Sequence, residues 1–181
     1  KVIGYFPTHR KKGYDLFYDV NSIDKLNDLN ELLKKNNSYL ITKHHSNIFK
    51  EDNFTSLHKK NNLLNITLKN LSNFINLDYD MDLNSILKNC DLLISDYSGA
   101  IADYLISNKP IILYIPDYKD YILDPGLNFN YESYQFAHKA KNYQVLLRYL
   151  STYLLNPIEF SNKYSQKRTH FKKMLFKDDD C

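Results

Sequence analysis

Glycine is scarce here, four residues in 181, and none falls into G-x-G-x-x-G or G-x-x-x-x-G-K-[ST]. Such loops let a backbone close on a phosphate, so dinucleotide-binding and P-loop readings lose their support. Cysteine is scarcer still. Cys90 and Cys181 are too few, and too differently placed, for a disulfide framework, which favours a reducing cytoplasm. No apolar run approaches the roughly 18 residues a membrane span needs, and no signal-peptide pattern is recognisable. Neither H-E-x-x-H nor C-x-x-C occurs, so no metal and no cofactor are expected. Charge of one sign is lacking too: 24 Lys and Arg against 21 Asp and Glu leave +3, which argues against nucleic acid as the partner.

What is present is an alternation of short apolar runs and amphipathic segments. Val2 to Phe6 reads as a strand, broken by Pro7. Ile23, Leu26, Leu29, Leu32 and Leu33 recur at helical spacing behind a cap at Asn21 or Ser22. Tyr39 to Thr42 is a second strand, residues 46 to 62 read as loop, and Leu63 to Ile66 and Phe74 to Leu77 are weaker strand candidates. A short helix over Asp82 to Leu87 leads into a central strand, Asp91 to Ser95. A helix over about 99 to 107, a strand over 111 to 115 and an irregular stretch from Asp117 to Ser133 follow. Two helices close the chain, one over Tyr143 to Leu155 and one starting at Pro157 behind Asn156 as cap. Strands alternating with helices predict an α/β fold: a Rossmann-like, mostly parallel sheet with helices on both faces, spanning residues 1–181 as a single domain. The chain starts without Met and ends at Asp178-Asp179-Asp180-Cys181, which is read as a domain of a larger protein.

Open parallel sheets bind ligands beyond the carboxyl ends of their strands. Three polar clusters fall there: Pro7-Thr8-His9-Arg10, Lys43-His44-His45 and Asp96-Tyr97-Ser98-Gly99. In the last, Ser98 is placed to cap a helix and Gly99 lets a ligand approach the backbone. The free N–H groups and the positive end of the helix dipole suit a phosphate. Asp103, one turn further on, repels phosphate and suits hydroxyls. Together these describe a nucleotide-activated polyol or sugar. Taken alone, a Ser-Gly turn at a strand-to-helix junction is also what a plain turn looks like. His9, His58, His138 and His170 read as solvated or structural, and of His44 and His45, adjacent on an extended chain, at most one faces the site.

"YFPTHR", "LITKHHSN" and "CDLLISDYSGAIADYLISNKPIILYIPDYKDY" follow one another at a spacing that resembles the CDP-glycerol glycerophosphotransferase family of teichoic acid and capsule polymerases. The resemblance runs over roughly residues 2 to 130, and "LFKDDDC" is similar to the family's tail. It implies the C-terminal, donor-holding half of a GT-B-type enzyme. It places Pro7, Thr8 and Arg10 beside a CDP-glycerol or similar CDP-polyol donor, Lys43 and His45 beside its phosphates, and Ser98, Gly99 and Asp103 at further donor contacts. Two positions depart from the family pattern. Ser46 stands where Pro is usual, and Gly99 where a second Ser is usual, which removes one hydroxyl from the phosphate and opens the way to a different head group.

The implied reaction is attack by a hydroxyl of a polymer or lipid-linked acceptor on the phosphate carrying glycerol, with CMP leaving. Lys43, a catalytic His45 and the helix start would neutralise charge without metal. The family's proposed general base lies in the missing N-terminal half, so this domain is expected to bind donor without turning it over. Two alternatives stay open: a GT-B glycosyltransferase or 2-epimerase holding a UDP-sugar, against which "YFPTHR" stands where a Gly-rich loop is common, and a non-enzymatic donor-binding remnant. The stretch 117–133 is expected to border the head-group pocket. Finally, Phe160, Tyr164, Phe171 and Leu175 form a stripe beside Lys163, Lys167, Arg168, Lys172 and Lys173. Such a helix rests on anionic lipid, or else, the preferred reading, packs with its basic face in solvent. The expected location is the cytoplasm, at the inner face of the cell membrane.

Overall fold

Strand residues point alternately to opposite sides of a sheet, and here both sides are apolar, so both must be covered. A computed structural model of the chain describes residues 1–8, 23–43, 71–78, 80–127 and 131–176. Its strands are β1 (Val2–Tyr5), β2 (Tyr39–Lys43), β3 (Phe74–Leu77), β4 (Leu92–Ser95), β5 (Ile111–Tyr114) and β6 (His138–Ala140). They form one sheet in the order β3-β2-β1-β4-β5-β6, each neighbouring pair parallel. Ile3, Tyr5, Leu92, Ile94, Ile112 and Tyr114 enter one buried cluster, while Leu93, Ile111 and Leu113 enter the other.

Amphipathic helices close each side. α1 (Ile23–Lys35) and the helices Tyr143–Leu155 and Pro157–Asn162 bring Leu26, Leu29, Leu33, Leu146, Leu150 and Phe160 to the first cluster. α2 (Leu83–Asn89), α3 (Ala100–Leu105) and the last helix, Ser165–Leu175, bring Ile86, Leu87, Ile101, Tyr104, Leu105 and Phe171 to the second. The expected α/β architecture is the observed one. Gly4 is fixed by packing: a Cβ there would lie 2.6 Å from Phe6 Cε2 and 2.9 Å from Cys90 Sγ. Phe6 folds back over β1 into space that only glycine leaves.

Several local expectations need correction. The stretch from 117 to 133 is not irregular throughout, since it contains α4 (Tyr118–Leu123) and a 3-10 turn at Tyr131–Ser133. No residue of α4 is buried, so the sequence carries no amphipathic period to reveal it. β6 was missed because three residues reading His-Lys-Ala show no apolar run. After α5 (Tyr143–Leu155), the C-terminal segment is not one helix but two, α6 (Pro157–Asn162) and α7 (Ser165–Leu175), separated by a turn at Lys163 and Tyr164. Pro157 holds the first helical position as expected, but Asn156 makes no side-chain cap bond.

That turn dissolves the predicted stripe. Phe160 packs into one core and Phe171 against the other. Arg168 is 1% exposed and belongs to no basic face. Its Nε donates to the Asn108 carbonyl at 3.1 Å and its Nη2 to the Ser161 carbonyl at 2.7 Å, tying α7 to the turn before β5. Among the described residues no helix is long and apolar enough to cross a membrane. The cap at Asn21 or Ser22, the loop over 46–62 and the strand candidate Leu63 to Ile66 lie outside the described residues.

Candidate functional site

The strand order reverses between β1 and β4, and a doubly wound sheet opens a crevice at that reversal, beyond the carboxyl ends of the two strands. Pairing continues past the strand ends: Phe6 N donates to the Ile94 carbonyl at 3.1 Å, and Ser95 Oγ to the Phe6 carbonyl at 2.7 Å. These bonds deliver Thr8 over Asp96. Asp96 Oδ1 accepts from Thr8 N at 2.7 Å, from Thr8 Oγ1 at 2.8 Å and from Tyr97 N at 2.6 Å. The residue is 3% exposed, so its charge is buried and must be met by donors, as it is here. From the other side Tyr131 OH donates to the Asp96 carbonyl at 2.5 Å. Burial, with Asp96 adding to it, holds the Tyr131 phenol far above its ordinary range and keeps it a donor.

Directly after this clamp the chain turns into α3. Ser98 Oγ accepts from Ala100 N at 3.3 Å, and the Ser98 and Gly99 carbonyls accept from Ile101 N and Ala102 N at 3.2 and 2.9 Å. Gly99 sits at φ −59°, and a Cβ there would meet nothing within 4 Å. The backbone does not require glycine at this position, and the space over the helix start is open. Pro7 is half-buried beside Thr8, and Asp103 is exposed one turn along α3. Lys43 ends β2, and its Nζ donates to the Met81 carbonyl ahead of α2. The structure therefore gathers Pro7, Thr8, Ser98 and Gly99 around Asp96. It sets Lys43 one strand away at the same sheet edge. Arg10 and His45 lie outside the described residues.

Sequence reasoning gave Asp96 no role of its own, although the residue stood inside the quoted motif. The signal available was its position: an acid one residue beyond the apolar run Leu92-Leu93-Ile94. Tyr97, Tyr121 and Asp117 were also missed. Tyr97 stacks on Tyr121 with centroids 3.8 Å apart at 19°, and its OH donates to Asp117 Oδ1 at 3.2 Å. Asp117 and Tyr121 belong to the 117–133 stretch. The sequence is read as lacking D-x-D as well, and that expectation is wrong: the spacing occurs twice in Asp78-Tyr79-Asp80-Met81-Asp82. Among the described residues no group of three His, Cys, Asp or Glu is placed to hold a metal. Asp82 is instead the α2 cap, its carboxyl held below the usual range by the hydroxyl and N–H of Ser85. His138 is structural. It stacks on Phe160 at 3.9 Å and 15°, and burial pushes its pKa down to about 4.

A family model described as CDP-Glycerol:Poly(glycerophosphate) glycerophosphotransferase matches residues 1–181. The chain belongs to this family. Among curated relatives of the glycerophosphotransferase family, it is 32% identical over 148 residues to the teichoic acid ribitol-phosphate polymerase TarL of Staphylococcus aureus, covering 81% of this chain and 24% of that protein. It is 30% identical over 148 residues to the ribitol-phosphate polymerase TarK of the same organism, covering 81% of this chain and 26% of that protein. The chain thus spans about a quarter of the length of the curated relatives it matches. In fold it is similar to the wall teichoic acid polymerase TagF, with a TM-score of 0.65 at 24% identity, covering 94% of this chain and 37% of that one.

Proposed function

We infer that this domain holds the activated donor in the transfer of a polyol phosphate, glycerol or ribitol, from a CDP-polyol to a growing teichoic acid or related polymer. The observation that carries the reading is the Thr8–Asp96 clamp at the β1/β4 reversal, with the open Ser98–Gly99 turn beside it. Family membership supports the chemistry. A variant of TagF soaked with CDPG supports a CDP-linked donor for that protein, and TarL and TarK support ribitol as an alternative head group. On this reading Ser98, the uncovered backbone at Gly99 and Lys43 face the donor phosphates. Asp103 takes polyol or ribose hydroxyls, and Pro7 and Arg10 flank the nucleotide. His45 adds a proton donor to the same phosphates.

The step itself is displacement at phosphorus. An acceptor hydroxyl oxygen bonds to the phosphorus that carries the polyol, the bond from that phosphorus to the CMP oxygen breaks, and CMP departs with the electron pair. The hydroxyl proton goes to a base. Positioning and charge neutralisation provide most of the acceleration in such transfers. We place the base, and the acceptor's reactive end, on a second GT-B half outside this chain. The relatives' greater length supports that division. Work at the inner face of the cell membrane suits a lipid-linked acceptor.

Calorimetric titration of the domain with CDP-glycerol, CDP-ribitol, CMP and UDP-N-acetylglucosamine tests the reading, with Ser98→Trp as the blocked control. Selective binding of a CDP-polyol, lost in the variant, is expected. Preference for the UDP-sugar would hand the site to a glycosyltransferase.

A further inference from the structure

Away from the sheet edge, a groove of about 350 Å³ runs between α7 and the segment that follows the 3-10 turn. That is the lower end of the range of ligand sites, roughly 300–1,000 Å³. Phe136, Phe171 and Met174 are apolar in its lining, while Gln135, Lys167 and His170 are polar. The spacing explains the arrangement. Residues 167, 170, 171 and 174 recur at three and four and share one face of α7. The opposite face is fixed to the rest of the fold by buried Arg168 and by Lys172 Nζ, which donates to the Ile106 carbonyl at 3.0 Å.

The charge of the groove is one-sided. Lys167 Nζ donates to the neutral Gln135 Oε1 at 3.3 Å, and no acidic residue stands among those lining the groove. An ammonium, an imidazole and two amides above aromatic rings match an anion carried on an aliphatic chain. The groove is also joined to the candidate site. Phe171 contacts Tyr134 at 5.1 Å between centroids, Tyr134 contacts Tyr131 at 4.9 Å, and Tyr131 bonds the Asp96 carbonyl. Two rings thus stand between the groove and the clamp.

We propose that this groove holds a stretch of the acceptor polymer, a phosphodiester-linked polyol chain. Lys167 and His170 donate to its phosphates, Gln135 and Gln166 bond its remaining oxygens, and its methylenes lie over Phe136 and Phe171. The inference rests on the transferase reading above, because that reaction supplies an anionic polymer of this kind.

The test titrates the chain with a short synthetic poly(glycerol phosphate), in parallel with CDP-glycerol and with phosphatidylglycerol vesicles. The same three titrations are repeated on a Lys167→Ala/His170→Ala variant. Both side chains are exposed, so the variant folds. The polymer is expected to bind the parent chain and to bind the variant about tenfold more weakly, as the loss of two solvent-exposed polar contacts predicts, with CDP-glycerol unchanged. Equal polymer affinity in the two proteins overturns the proposal. So does vesicle binding that falls in the variant while the polymer fails to bind either protein, which would give the patch to a membrane. Polymer binding that behaves as expected in a chain that ignores CDP-glycerol sinks the donor reading and leaves the polymer site standing.

Discussion

The clamp between Thr8 and Asp96 makes a quantitative claim. Thr8→Val keeps the shape of the side chain and removes only the hydroxyl that donates to Asp96 Oδ1 at 2.8 Å. A hydrogen bond to a charged partner is worth about 1.5–3 kcal/mol. Thr8 is half-buried, so the lower end applies, and the loss should be ~1.5 kcal/mol. Asp96→Asn removes the charge that three donors share, and should cost about 2–3 kcal/mol. Because Asp96→Asn takes the charge from the same bond that Thr8→Val removes, the double variant should cost less than the two single losses together, by ~1 kcal/mol. Urea unfolding of the four proteins measures this, and Thr8→Ser, which keeps the hydroxyl, should recover most of the loss. Donor affinity should fall alongside, since Pro7 and Thr8 lose their anchor at the strand reversal. Additivity within about 0.5 kcal/mol would refute the clamp as a unit.

Three further outcomes follow from packing and burial. Gly4→Ala drives a Cβ into Phe6 and Cys90, so thermal unfolding should show a loss of ~1–3 kcal/mol, partly recovered by Phe6→Leu. His138, with its pKa pushed down to about 4, binds its proton more readily in the unfolded chain, whose value is near 6.5. Stability is therefore full above about pH 6.5 and falls by on the order of 2 kcal/mol by pH 5, a slope that His138→Phe should flatten in denaturation at the two pH values. Arg168→Met strips the donors from the Asn108 and Ser161 carbonyls and should cost ~3 kcal/mol in urea unfolding, with Arg168→Lys recovering little because an ammonium cannot reproduce the fork.

The fold was legible because its strands are buried on both faces and its main helices bury one. Leu92-Leu93-Ile94 and "IILY" stand out as unbroken apolar runs, and Leu26, Leu29 and Leu33 mark α1 by period. Elements held by polar or aromatic contacts left no such trace. α4 has no fully buried residue and meets the fold through tyrosine rings, and β6 is a three-residue strand whose His138 is buried by stacking. Arg168 is the clearest case. A Lys/Arg-rich helix looks solvated in one dimension, and only the turn at Lys163 and Tyr164 swings that guanidinium onto Asn108 and Ser161. In the candidate site the positions of Pro7, Thr8, Lys43, Ser98 and Gly99 followed from strand ends, whereas the Thr8–Asp96 bond joins residues 88 apart and no local pattern encodes it.

Asp96 resolves a difficulty that the sequence raises. An acid just ahead of a proposed phosphate site ought to repel the ligand, as Asp103 would at close range. The structure separates the two carboxylates by burial. Asp96 is 3% exposed, with one carboxylate oxygen turned under Thr8 and its charge met by three donors. In a low-dielectric surround those donors offset the charge locally and convert it into a tether for Thr8. Asp103 stays in solvent, where its charge is screened and free to meet hydroxyls. With Gly99 leaving the helix start uncovered, phosphate and polyol can be held within one turn of α3 without facing the same acid. On that division of labour, the first acid of the motif is structural, and the proposed donor reading gives the ligand's hydroxyls to the second.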